Sequence, residues 1–302
     1  MKMTLESLRN AVGRSWKSMR AVCALRSCRN TMLISNVPQR RIGIQVGQLW
    51  YCSVDCFADA AHLRLTEISD ERIVEMPHRP RQPIGLVMLS KGFLSGDQLR
   101  FATAQSRRNG EPLEDALLRL GMANERQLAA ARAAQWGCPL LKQERPGLPV
   151  EADVPATLLR AATAVPLHYS AASGRLLLGF VYRVEHTLLH AVEQVIGCRT
   201  EPCFITPTEF EARMAQRTTA ADGAEQVFDD PGTPAQMANL LGGLAVEAGA
   251  REVTFVNCRD YIWTRITGKR RRIDVLFRAR RSAGPVLTEN FFFQEENIST
   301  WG

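Results

Sequence analysis

The chain has 302 residues, 45% of them hydrophobic and 23% charged, with a formal net charge of +7. That length suits two or three small domains, and that balance excludes a chain disordered throughout. No apolar run reaches the roughly eighteen residues of a spanning helix and no massed apolar leader opens the chain, so the sequence reads as cytoplasmic.

The charge is uneven. Between Met1 and Gly47 the only acid is Glu6, and Lys269, Arg270, Arg271 and Arg272 form a second basic run. Such patches meet nucleic acid, anionic lipid or acidic proteins, or are simply solvated. At the start, Leu5, Leu8, Val12, Trp16 and Met19 recur at helical spacing among basic residues, which predicts a basic amphipathic helix over residues 1–22.

Four of the eight cysteines follow closely. Cys23 and Cys28 form a C-x4-C pair, and Cys52 and Cys56 a C-x3-C pair. Both spacings suit structural zinc. Residues 41–51 read as a hairpin turning at Val46 and Gly47, and Ser53 caps a helix that carries Cys56 in its first turn. Knuckle, hairpin and helix make a treble-clef-like zinc module over residues 1–64. Four thiolates leave no open coordination position, so the zinc would be structural, contributing folding energy that so small a unit lacks.

Residues 65–82 read as a linker. Residues 83–135 then contain an internal repeat with a shift of 29: Ile84 aligns with Leu113, Met88 with Leu117, Gly92 with Gly121, Gln98 with Gln127, and Leu99 with Leu128. Each copy reads as helix, glycine, turn, helix. Gly92 and Gly121 sit where a left-handed residue ends a helix, and Ser95 with Gln98 and Asn124 with Gln127 read as capping boxes. Two helical hairpins of this kind must bury their apolar faces on each other.

A small α/β subdomain follows at 151–216, with helices at 155–162, 185–196 and 206–214 and strands at 164–169, 175–180 and 200–205. His186 and His190 lie four apart on its middle helix, a spacing that can clasp a metal, although no carboxylate completes a site. Residues 217–233 read as a second linker. Thr233 and Pro234 open a helix, and three strands to about residue 277 complete a small α/β domain at 234–284, followed by a tail at 285–302. The fold class is therefore α+β and multidomain: zinc module, tandem helical hairpins plus a small α/β subdomain, then a C-terminal helix with antiparallel strands.

The repeat resembles the N-terminal, MshEN-type domain of the GspE, PilB and MshE ATPases of type II secretion and type IV pili. That family carries two 24-residue motifs five residues apart, each with glycine at its tenth position, leucine at its seventeenth and glutamine at its end. Residues 83–106 and 112–135 reproduce this spacing through Gly92, Leu99, Gly121, Leu128 and Gln135. Further on, Gly249, Ala250, Arg251, Glu252 and Val253, with Arg265, Ile266, Thr267 and Gly268, resemble the family's second, PAS-like domain, without its aspartate and histidine. No G-x-x-x-x-G-K-[ST] motif occurs in this chain.

The resemblance implies a non-catalytic regulatory or adaptor protein of the secretion or pilus machinery, acting with a separate ATPase. It also implies cyclic di-GMP as a candidate ligand, through Arg81, Ile84, Gly85, Leu99, Leu113, Leu128 and Gln135. Three positions depart from the motifs: Pro83 replaces the opening arginine, Ser106 the first closing glutamine, and Glu114 the second motif's glycine. Glu114 brings a negative charge toward a dianionic ligand. The alternative reading is a zinc-containing nucleic-acid-binding regulator.

Overall fold

The computed structural model describes residues 20–33, 43–70, 81–141, 153–217, 223–258 and 260–279. The N-terminal helix expected over residues 1–22 lies outside these except at its end, where Arg20–Val22 forms a strand, β1. The tail at 285–302 also lies outside them.

β1 pairs antiparallel with β2 (Thr31–Leu33). A hairpin of β3 (Ile44–Val46) and β4 (Leu49–Tyr51) follows, with the turn at Gly47, whose φ is +57°. Helix α1 (Val54–Asp70) comes next, running further into the expected linker than its apolar spacing predicts.

The repeat folds as four helices: α2 (Ile84–Ser90), α3 (Gly96–Asn109), α4 (Leu113–Arg119) and α5 (Glu125–Trp136). Its two copies use the same hydrogen bonds. Phe93 N–H donates to Met88 O and Met122 N–H to Leu117 O, each at 3.0 Å, while Gly92 and Gly121 take φ of +69° and +65°. Both capping boxes form. Met88, Ala102, Leu117, Leu128 and Ala131 close the interior between the copies.

The middle unit holds α6 (Ala156–Ala162), the antiparallel pair β5 (Ala164–Ser170) and β6 (Arg175–Phe180), α7 (His186–Ile196), β7 (Arg199–Phe204) parallel to β6, and α8 (Pro207–Gln216). It is fastened to the repeat. Glu125 of α5 accepts from the Thr208 N–H and hydroxyl at the start of α8.

The C-terminal part departs from expectation. Residues 217–233 are not simply a linker, because Gly223–Phe228 forms β8. Helix α9 (Pro234–Ala248) then leads into β9 (Ala250–Cys258), β10 (Tyr261–Gly268) and β11 (Arg272–Arg278). The sheet order is β4-β3-β9-β10-β11-β8, with β3 parallel to β9 and β8 parallel to β11. The cysteine module and the C-terminal unit, drawn apart in the sequence, thus share one sheet.

They also share one core. Strand alternation sends Val253, Ile262, Ile266, Ile273, Val275 and Phe277 to one face, where Phe57 and Leu65 of α1 and Leu241 of α9 cover them. Gly242 of α9 faces α1, where a Cβ would make an ordinary contact with Ala58 Cβ at 3.6 Å. The opposite face, with Val256, Trp263 and Leu276, packs on the middle unit. Burying so many large side chains, each worth roughly 1.5–3 kcal/mol, is what joins segments distant in sequence.

Polar contacts fix that second face. Asp274 accepts from Trp263 Nε1 at 2.8 Å and from Arg265 Nε at 2.8 Å. Arg265 also donates to the Asp153 carbonyl, and Arg272 pairs with the Asp153 carboxylate. Glu225 of β8 accepts from Ala156 N–H and Thr157 N–H, satisfying the first amides of α6. The basic run is structural too: Arg270 lies against the carbonyls of Val246 and Glu247 at the end of α9, and Arg271 pairs with Glu247.

Candidate functional site

The cysteine cluster is built by three local devices. The chain turns after β1, where Cys28 N–H donates to Leu25 O at 2.9 Å, bringing Cys28 back beside Cys23. Ala24 N–H donates to Trp50 O at 2.9 Å and presses this knuckle on β4. Ser53 Oγ accepts from Cys56 N–H at 3.2 Å and starts α1, with Cys52 just before it.

The four Sγ atoms all lie within 4.8 Å of one another. Cys28–Cys52 and Cys52–Cys56 are each 3.7 Å apart, far beyond a sulfur–sulfur bond of about 2.05 Å. Four thiolates at about 2.3 Å from a tetrahedral ion stand about 3.8 Å from each other, so the arrangement fits a metal ion. Charge makes the same point. The Ser53 hydroxyl pulls the Cys56 thiol down, but burial and the other three thiols outweigh it and push it up to about 12. Burial pushes Cys23 up as well, yet hydrogen bonds at the Cys52 and Leu25 backbone and the neighbouring thiols leave it below the ordinary thiol value. Thiols this close cannot all ionise without a cation among them.

The expected ligand residues fall into two groups. Gly85 lies under two leucines from different copies of the repeat: a Cβ there would meet Leu99 Cδ1 at 2.7 Å and Leu113 Cδ2 at 3.1 Å. Ile84, Leu99 and Leu113 are half-buried around it, whereas Leu128 is 1% exposed and belongs to the interior. The second group gathers where α2 begins and α5 ends. Gln135 donates to Gln82 O at 2.6 Å, and the Arg81 guanidinium stacks 3.2 Å over the Trp136 ring. Arg107 and Arg108 are exposed at the end of α3.

Glu114 does not stand as a bare charge. It pairs with Arg132, which is 4% exposed and also donates to Val181 O at 3.1 Å. The sequence reading overlooked Arg132. Its position on the apolar side of α5, one residue after Ala131, was the available signal. His186 packs its ring 6.3 Å from Trp136, and His190 bonds Gln194, so the two histidines do not converge on a site. A crevice of about 30 Å³ between α6, Thr187 and Tyr261 has room for about one water.

No family profile matches this chain. It is 27% identical over 135 residues to the type IV pilus assembly ATPase PilB of Thermus thermophilus, a match covering 44% of this chain and 15% of that protein. The chain is thus similar to one part of a pilus ATPase. Among solved structures it is similar to MshE with cdg, at 21% identity and TM-score 0.37, over 46% of this chain and all of that one. It is also similar to the N-terminal domain of XpsE, at 21% identity and TM-score 0.35, over 45% of this chain and 94% of that one. No helix among the described residues is long and apolar enough to cross a membrane.

Proposed function

We propose that this chain is a non-catalytic regulatory or adaptor component of a type II secretion or type IV pilus machine, working in the cytoplasm with a separate ATPase. Residues 83–216 would serve as its sensing and partner-binding domain. The observation that carries this reading is the pair of 24-residue motifs, folded as two equivalent hairpins, in a chain similar to PilB. The metal at Cys23, Cys28, Cys52 and Cys56 is zinc in a structural role, since an all-thiolate set favours it and leaves no ligand position free.

Cyclic di-GMP is the ligand of the repeat. Arg81, Arg107 and Arg108 supply positive charge, Gln135 supplies an amide, and the half-buried Ile84, Leu99 and Leu113 supply apolar surface for a purine. The Glu114–Arg132 pair removes the repulsion that an isolated carboxylate would impose. Calorimetric titration with cyclic di-GMP tests this. Saturable micromolar binding is expected, weakened about tenfold or more in Arg81→Ala and in Gln135→Ala. Absence of heat in the wild-type protein would leave a protein-interaction domain only.

The nucleic-acid reading gains little from the structure. Arg270, Arg271 and Arg272 are engaged within the fold, and Arg26 and Arg29 are exposed beside the cysteines. Binding that falls steeply with salt would revive it.

A further inference from the structure

The metal cluster stands at one edge of the six-stranded sheet rather than in a module of its own, and the strands between the two cysteine pairs are very short. β3 and β4 have three residues each, too few to hold a position by themselves. β3 meets β9 at only two register positions, Gln45 with Glu252 and Val46 with Val253. On its other edge β9 pairs with β10 along nearly its whole length.

The four cysteines bracket this weak attachment. Cys23 and Cys28 belong to the knuckle that bonds β4 through Ala24, Cys52 directly follows β4, and Cys56 lies in the first turn of α1. One ion at the cluster therefore fixes the end of β4 to the knuckle and to α1. Helix α1 in turn rests on α9 and places Phe57, fully buried, with its ring centroid 6.4 Å from that of Phe255 in β9.

We infer that the metal centre is a clasp on the sheet edge: metal bound by the four cysteines holds β3 on β9, and metal loss uncovers the β9 edge and Phe255 while the body at 84–216 stays folded. The inference rests on the metal reading above. The split follows from where the cores lie. Among the described residues, the repeat interior contains none of the cysteine module, and the middle unit meets the opposite face of the sheet. Metal supply then controls whether a strand edge is offered for pairing, a conformational device built into the sheet.

Hydrogen exchange of the full chain, with metal content measured on the same samples, tests this. The wild-type protein would be compared as purified, after a strong chelator, and after zinc is restored. One metal per chain is expected. Its removal should speed exchange about tenfold or more in residues 44–51 and 250–256, leave residues 84–136 unchanged, and reverse on adding zinc. Cys52→Ser should reproduce the stripped pattern. If that variant does not fold, the chelation and add-back cycle on the wild type decides alone. Metal that leaves with no change at β9 would overturn the clasp while the metal site stands. Faster exchange throughout the chain would overturn it too, in favour of global unfolding. Absence of bound metal in zinc-supplemented protein would overturn the metal reading itself.

Discussion

At the scale of single residues, Gly268 has neighbours that cannot yield. A Cβ on Gly268 would lie 2.0 Å from the Ala248 carbonyl oxygen, backbone against backbone. Gly268→Ala should therefore cost about 2–3 kcal/mol in urea unfolding. Glu114→Gln removes the ionic partner of Arg132, whose side chain is 5% exposed. Breaking a buried pair costs roughly 3–5 kcal/mol, but Glu114 is a quarter exposed and Arg132 keeps Val181 O, so a loss of about 1–3 kcal/mol is expected in the same assay. Local chemistry was legible in the sequence: Gly92, Gly121 and both capping boxes are decided by residues within a few positions. Arg132 and Glu225 were not, because their partners lie 18 and 69 positions away.

Elements follow the same rule. Helices and strands of the middle unit fall within about two residues of their expected bounds, since each carries its own period, cap or turn. β8 escaped because an edge strand paired on one side needs only a weak pattern; its partner, β11, is what makes it a strand. β1 escaped because three residues carry no period. Two strands also carry buried thiols near their ends, Cys203 in β7 and Cys258 in β9, and burial pushes both up to about 12. Their folded values lie above the unfolded one near 9.0, so their contribution is complete below pH 9 and is lost as pH rises toward 12. The unfolding free energy from urea titrations should fall across that window by on the order of 1 kcal/mol per pH unit per thiol, and neither cysteine should react with a thiol reagent in native protein at pH 8.

For the whole molecule, the decisive contacts join parts that sequence reading separated. The two basic residues at Asp153 pin the beginning of the middle unit to the sheet. Asp153→Ala leaves Arg272 without its carboxylate at that junction, and calorimetry should show the unfolding transition broaden or split as the two faces of the sheet lose their coupling. The candidate sites were legible unequally for a related reason. Cysteine spacing can be read without the fold, and the four thiols do converge, positioned to hold a metal ion. The proposed ligand surface depends on which leucines the fold leaves half-exposed, and Leu128, placed there by motif position, faces the interior.

The parallel pairing of β3 with β9 has a consequence for synthesis. Val46 and Val253 are about two hundred residues apart, so the hairpin leaves the ribosome long before the strand it will lie against exists. Throughout that interval the hairpin has its own turn, the Ala24–Trp50 bond and the four thiols to keep its shape, while the helical repeat, rich in local contacts, can already fold. The last sheet to close is therefore the one that joins residues 44–51 to residues 223–278.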